Sequence, residues 1–298
     1  MKVIVTGASG FLGKVLCSEL KSKGHDVTAI VRNKNVCVDA DKIICCDLNN
    51  YHQLNEIITD RGFDVLYHFA WAGTSGSARG DYSLQIDNIK ASCILTEQCK
   101  LLECRRIVYA SSIMEYEISA LMETETDPPV SSVYSAAKMT SDYMMKALAV
   151  SNKTEYIRGI ISNVYGPGEN SPRLVNTTIR KLLKNEHCAF SPGEQMYDFI
   201  YIDDAVKAFA AIGEKGTTGR TYYIGSERPR KLKEFLIKLK DIVAYDAIIG
   251  IGEIPFNGVS IDYEQFDKEA VLRDTGFRNQ ITFSEGIKRT AEWIRKEM

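Results

Sequence analysis

Tyr134 and Lys138 stand four residues apart in the segment Tyr134-Ser-Ala-Ala-Lys138. On a helix, positions i and i+4 share a face, so this phenol and this ammonium can serve one site. A cation beside a phenol favours the phenolate and lowers its pKa toward the range useful for proton transfer near neutrality. Upstream, Ser111 and Ser112 close the apolar run RIVYA, at the carboxyl end of a predicted strand. Ligands of open α/β sheets bind at such ends. A hydroxyl placed there can hydrogen-bond a substrate oxygen while the tyrosine gives or takes its proton. By itself Y-x-x-x-K is common on amphipathic surface helices; the serine pair is what gives it chemical meaning.

A second constellation lies at the amino end. TGASGFLG, residues 6–13, follows the first strand and opens a helix. Gly7 permits the tight turn, Gly10 lets the backbone approach a pyrophosphate, and Gly13 lets helix pack on strand. With Ser9, Phe11 and Leu12 they put the amides and positive dipole of a helix N-terminus against phosphates. The second strand ends Ile30-Val31-Arg32, with Lys34 nearby. An acid there binds the ribose hydroxyls of NAD, whereas a guanidinium pairs bidentately with a 2′-phosphate. Arg32 therefore points to NADP(H) as the preferred cofactor, with NAD(H) as the alternative.

The elements that position these groups read as alternating strands and helices. Strands are predicted at Lys2–Thr6, Asp26–Val31, Asp64–Ala70 and Arg106–Ser111, with helices at Phe11–Lys23 and Ile86–Leu102. Continuous apolar strands between amphipathic helices indicate a parallel sheet covered on both faces. Right-handed crossovers then give an α/β, doubly wound Rossmann-type fold. After Gly166 the texture changes to a Pro/Gly loop. A helix near Leu174–Lys184, a strand at Phe199–Ile202, a helix opened by Asp203 and Asp204, and helices at Lys231–Val243 and Phe283–Lys296 follow. Thr282 and Glu285 form a capping box for the last. Residues 1–165 are expected to form the dinucleotide-binding domain. Residues 166–298 are expected to form a smaller α/β substrate lobe, with segments near 196–226 returning to the first domain.

Composition excludes several classes. The 298 residues carry 37 Lys+Arg against 39 Asp+Glu, a formal charge of −2, which lacks the basic face that nucleic acid requires. No apolar run is long enough to span a membrane. The start runs from strand to glycine without a charged leader, and the expected location is the cytoplasm. The eight cysteines show no C-x-x-C pair and no matching histidine spacing, so no metal site is expected and the thiols are read as reduced.

The 3-3 glycine spacing resembles the extended branch of the short-chain dehydrogenase/reductase superfamily, specifically its nucleotide-sugar-modifying epimerase/dehydratase family. Cys46-Asp47-Leu48 is similar to the adenine-contacting Asp-Leu, and YHFAWAG, with Phe69, Ala70 and Ala72, to the segment passing under the cofactor. Asn88 matches the family's helix asparagine. YASSIMEY resembles the signature whose catalytic Ser or Thr lies four residues before a tyrosine, a register that selects Ser112 over Ser111. The resemblance makes Tyr134 the general acid/base, and Lys138 the group that holds the nicotinamide ribose and tunes Tyr134. SNVYGPG resembles the N-x-Y-G-P segment, giving Asn163 a substrate contact alongside Ser112 and Tyr134. YDFIYIDDA, YYIGS and FDKEAVLRDTGF extend the likeness over essentially the whole chain. One departure matters. The family usually places an Arg before the D-F segment for the diphosphate; here stands Tyr197, leaving Arg173, Arg228 and Arg230 as candidates.

Departures also narrow the reaction. A 4,6-dehydratase carries Asp and Glu after the catalytic Ser/Thr, but here stand Ile113 and Met114, and Met114 also replaces the acid cysteine of epimerase-reductases. The resemblance with Arg32 therefore implies an NADPH-dependent reductase of a nucleotide-linked 4-keto-6-deoxy sugar. The alternatives are an NAD-retaining nucleotide-sugar 4-epimerase and, further off, a non-catalytic dinucleotide sensor. A homodimer through the helices at Ile86–Leu102 and Tyr134–Val150 is implied by the family alone.

Overall fold

β1 (Lys2–Thr6) is buried from Val3 to Thr6 because it lies inside the sheet, with a strand on each side. In the computed structural model, which describes residues 1–226 and 228–298, β1 pairs in parallel with β2 (Asp26–Val31) and β4 (Val65–His68). β3 (Lys42–Cys45) joins β2, while β5 (Arg106–Ser112), β6 (Glu155–Ile161) and β11 (Thr221–Ile224) extend the other side. The order is 3-2-1-4-5-6-11, all seven strands parallel, the doubly wound Rossmann-type fold that the alternating pattern predicts.

Alternation along each strand builds two cores. Val3, Val5, Val65 and Tyr67 face α1 (Phe11–Ser22) and α7 (Ile202–Lys215). Ile4, Leu66, Ile107 and Tyr109 face the opposite way, toward α2 (Leu54–Ile57), α3 (Tyr82–Leu101) and α5 (Ser132–Asn152). Both faces are covered, which is why these strands carry no polar alternation.

After β6 the chain forms short pairs. β7 (Asn163–Tyr165) runs parallel to β10 (Phe199–Tyr201), with Asn163 opposite Phe199. β8 (Ala189–Phe190) pairs with β13 (Gly250–Ile251), and β9 (Met196–Tyr197) with β12 (Arg230–Lys231). The helices α6 (Leu174–Leu183), α8 (Leu232–Val243) and α10 (Phe283–Glu297) pack together over Phe199, Phe235 and Phe283. The short helix α9 (Ala270–Thr275) lies on α7, and α4 (Tyr116–Glu123) lies on α5. No helix among the described residues is long and apolar enough to cross a membrane.

Three local expectations need correction. α3 begins at Tyr82 rather than Ile86, because Asp81 accepts the amide of Leu84 at 3.1 Å and caps a turn that opens on the exposed Tyr82 and Ser83, without an apolar face to mark it. β4 stops at His68, since beyond it the chain tucks under β1, with Ala70 N donating to the Thr6 hydroxyl at 3.3 Å. Only half of the capping box on α10 forms: Thr282 accepts the amide of Glu285, while the Glu285 carboxylate turns to Arg289 at 2.8 Å.

Candidate active site

Ser112 ends β5, and Tyr134 and Lys138 lie on the buried face of the first turns of α5, so strand edge and helix meet. Together with Asn163 they line one cleft of about 320 Å³. Ser112 is held from both sides of its peptide unit. Its hydroxyl accepts the Met114 amide at 3.2 Å, and its own amide donates to Glu115 at 3.2 Å, a complete capping box on the turn Ile113–Glu115. The Ser112 hydroxyl shares the cleft with the Tyr134 phenol and favours its ionised form.

The Y-x-x-x-K spacing predicts a phenol lowered by its lysine; the structure shows otherwise. Burial holds Tyr134 above the ordinary tyrosine range, and the cations that oppose this are Arg173 and Arg79. Lys138 donates to the Ala110 carbonyl at 2.9 Å and lies 4.0 Å from the centre of the Trp71 ring. Its own burial pulls the ammonium down to about 7, against the carboxylates of Glu115 and Asp142. Burial thus works against the charge that would steady a phenolate.

Behind Ser112 lies a polar network that the motifs did not reveal. Glu115, 2% exposed, accepts from the Ser111 hydroxyl and pairs with Arg158, whose Nε donates to the Ser111 oxygen at 3.0 Å. Arg158 also approaches Asp142 at 3.4 Å, and the Tyr156 hydroxyl donates to Asp142 at 2.7 Å. Ser111 is thus committed to this network, which leaves the cleft to Ser112. Ile113 is buried and Met114 lines the cleft without a titratable atom. Glu115 points the other way, and Glu169, a carboxylate that lines the cleft, is paired with Arg173 at 3.2 Å. His187 and Cys188 lie elsewhere, His187 paired with Glu253 at the surface.

The substrate side sorts the arginines. Arg173 lines the same cleft as Ser112 and Tyr134, with Tyr197 and Asn163, whereas Arg228 and Arg230 line a neighbouring one. The Asn163 amide donates to the Asp198 carbonyl at 3.0 Å. Asp198 itself is wholly buried and holds the Tyr223 hydroxyl and Ser226, so this acid is structural. Two residues escaped the sequence reading. Trp71 lies edge-on to Tyr134 with ring centres 6.2 Å apart, and it borders both this cleft and the next. Arg79, on the turn Gly76–Gly80, stands over the Tyr134 ring at 4.9 Å. The pairs that cross from the β4–α3 loop to α5 leave no mark on local periodicity.

The adjoining cleft, about 440 Å³, opens where the strand order reverses between β1 and β4. Gly7, Ser9, Gly10, Arg32, Asp47, Leu48, Ala70 and Ala72 line it. Phe11 and Leu12 line the cleft of Ser112 and Tyr134, and Phe69 borders both. The residues fit a dinucleotide. Gly7 has φ +66°, and a Cβ there would sit 2.7 Å from the Ala70 amide nitrogen, so only glycine lets the cradle form. A Cβ on Gly13 would lie 2.2 Å from the Gly7 carbonyl oxygen. The N-terminus of α1 has no side-chain cap, which leaves its amides for phosphate oxygens. Arg32 is exposed at the end of β2, and the Asp47 carboxylate accepts the Asn49 amide at 3.1 Å. Asn88 clamps the loop that borders the cleft, bonding both the amide and the carbonyl of Ala72 at 2.8 and 2.9 Å.

A seven-stranded parallel sheet with this cradle at its switch point and a Ser–Tyr–Lys set beside it defines a nicotinamide-dependent short-chain oxidoreductase architecture. Residues 3–225 match the NAD dependent epimerase/dehydratase family, and the chain belongs to it, within the extended short-chain dehydrogenase/reductase type of NAD(P)-dependent enzyme. Among its relatives is CDP-abequose synthase of Salmonella typhimurium, 27% identical over 96% of both chains. Another is the trifunctional UDP-glucose 4,6-dehydratase/UDP-4-keto-6-deoxy-D-glucose 3,5-epimerase/UDP-4-keto-L-rhamnose-reductase of Arabidopsis thaliana. It is 24% identical over 98% of this chain, which spans about half, 46%, of that protein's length. UDP-glucose 4-epimerase from Thermotoga maritima, solved with UDP-glucose, superposes with TM-score 0.82 at 23% identity, covering 100% of this chain and 99% of that one. WbmF of Bordetella bronchiseptica, solved with NADH, gives 0.81 at 22% identity, covering 99% and 92%. These two show the shared fold.

Proposed function

We propose that this chain is an NADPH-dependent reductase of a nucleotide-linked 4-keto-6-deoxy sugar. What supports it is that Tyr134 faces Ser112, that Ile113 and Met114 cannot titrate, that Glu115 is turned into the Arg158 network, and that Glu169, a carboxylate lining the cleft, is held by Arg173 and the Ser171 hydroxyl. Dehydration or carbon epimerisation needs a second, free acid or base beside the sugar, whereas the lining carboxylate Glu169 is paired with Arg173. Reduction of a ketone needs one proton delivered to one oxygen.

A bound nicotinamide supplies the hydride. Gly7, Ser9, Gly10, Phe11, Leu12 and Gly13 would hold its diphosphate side, Arg32, Asp47 and Leu48 its adenosine end, and Phe69, Ala70 and Ala72 the floor. Ser112 donates to the substrate carbonyl oxygen, a preorganised dipole where charge develops, and Tyr134 passes its proton to that oxygen. Lys138 holds the ribose and Asn163 the substrate. Residues 166–298, apart from segments near 196–226, form the substrate lobe in this reading, with Arg173 toward the diphosphate. Arg32 at the adenosine end supports NADP(H). Exposed apolar side chains on α3 and α5, Tyr82, Ile86, Tyr143 and Val150, support a homodimer through those helices.

Denaturing the purified protein and identifying the nucleotide released tests the reading. An empty or NADP(H)-bearing site that rebinds NADPH in preference to NADH, with turnover of a 4-keto sugar nucleotide, is the expected result. Stoichiometric NAD retained through purification would replace it with the 4-epimerase, which uses the same three side chains. Binding of neither would leave the dinucleotide-sensor reading without support as well. Tyr134→Phe is expected to lower turnover by about 10²–10⁴-fold with NADPH affinity nearly unchanged; equal activity in the variant would remove Tyr134 from the chemistry.

A further inference from the structure

We infer that the cleft lined by Arg228 and Arg230 is a second binding site, for a small phosphate ester that carries free hydroxyl groups. It is separate from the site of Ser112 and Tyr134, and the inference stands whichever reaction that first site performs.

The cleft holds about 380 Å³, within the roughly 300–1,000 Å³ of small-ligand sites. Of the residues lining the cleft of Ser112 and Tyr134 it shares Phe199 alone. Phe199, Phe235 and Phe283, packed edge to face, give it an apolar base.

Its rim is cationic. Arg228 follows β11, Arg230 lies on β12, Lys238 on α8, and Arg278 precedes α10, all four exposed. The side-chain amide of Asn279 donates to the Gly225 carbonyl at 2.6 Å. That bond ties the segment before α10 to the one after β11, so Arg278 and Arg228 face one opening. None of the four cations forms an ion pair among the described residues. Their neighbours on the same stretch of chain behave differently: Lys231 and Lys233 are both held by Glu194, at 2.8 and 2.5 Å. Two carboxylates among the described residues line the cleft, Glu234 and Asp204, which leaves the cations in excess. A concave surface of one sign focuses its field on a counter-ion. Three of the cations are guanidiniums, whose planar forks match phosphate oxygens.

Asp204 adds a requirement beyond charge. It is 1% exposed, and its Oδ2 accepts the amides of Gln280 and Ile281 at 3.0 and 2.8 Å. Its Oδ1 is buried without a hydrogen-bond partner, a costly state for a carboxylate oxygen. A hydroxyl donated by the ligand satisfies that oxygen. The ligand that fits therefore sets a phosphate against the arginines of the rim and a hydroxyl-bearing body toward Asp204, as a sugar phosphate does.

Calorimetric titration of the full-length protein with glucose 1-phosphate tests the inference. Saturable binding that weakens with added salt is expected. The double variant Arg228→Gln/Arg278→Gln is expected to lose at least about tenfold in affinity, and Lys238→Glu, made separately in case the double variant does not fold, to lose a similar amount. Arg173→Gln and Arg32→Gln, in the other two clefts, should change it by less than about twofold. Sulfate, a divalent anion with no hydrogen to donate, should bind at least about tenfold more weakly than the ester. No binding by the parent, undiminished binding by the variants of this cleft, or an equal loss in Arg173→Gln or Arg32→Gln overturns the site. Sulfate binding as tightly as glucose 1-phosphate overturns the assignment of an ester.

Discussion

The ammonium of Lys138 donates to the carbonyl oxygen of Ala110 at 2.9 Å, tying α5 to the carboxyl end of β5. The bond sets the depth at which the helix sits, and with it the position of Tyr134 one turn earlier. It also buries a cation, 6% exposed, among Tyr109 and Trp71.

That burial has a pH signature. The folded pKa of Lys138, about 7, lies below its ordinary 10.5, so between those values the unfolded chain binds more protons than the native one. Stability contributed through this group therefore rises with pH from about 7 and levels off near 10.5. Lys138→Met is expected to abolish that rise and to be at least as stable as the parent below neutrality, where the parent buries a charge. Urea midpoints of the two proteins across the neutral and alkaline range check this; a constant difference between them would contradict it.

In the proposed reading Arg32 sets the cofactor preference. Among the described residues its guanidinium has no carboxylate partner, and it lines the cleft that the glycine loop borders. Arg32→Ser is expected to weaken NADPH binding about 10–100-fold, the loss of a charged bidentate contact of about 1.5–3 kcal/mol. NADH affinity should change by less than about threefold. Calorimetric titration of both cofactors measures it, and equal losses for the two would make Arg32 a bystander.

Glu115 is expected to be the most costly polar position behind the site. Glu115→Ala leaves the half-buried Arg158 with Asp142 alone, at 3.4 Å, and removes the cap on Ser112, an expected loss of about 3 kcal/mol. Glu115→Gln keeps the shape and the bond from the Ser112 amide and should cost less. Urea unfolding of the two variants decides it. If alanine is tolerated as well as glutamine, the network contributes little.

Much of the fold was legible because its signals are local. The glycine loop, the apolar strands and the long helices each announce themselves within a few residues, and β1, β2 and α1 fall within a residue of their predicted bounds. What went unread was pairing across the chain. Arg228, Arg230 and Arg173 are equivalent as letters, yet the β7–β10 and β9–β12 pairings put only Arg173 beside Tyr134. Arg79 lay in a loop with no periodicity to mark it. Glu115 looked like one more residue of a signature, since its burial against Arg158 depends on β6, which enters 40 residues later.

By itself, then, the order of residues determined which backbone segments become strand or helix, where phosphates can approach the chain, and that a phenol and an ammonium share a helix face. Those properties follow from steric limits on φ and ψ and from spacing along one element. Tertiary structure alone decided the charge state of the site. Burial and distance set a pKa, and both depend on which side chains other segments bring near: Ala110 and Trp71 to Lys138, Arg79 to Tyr134, Arg158 to Glu115.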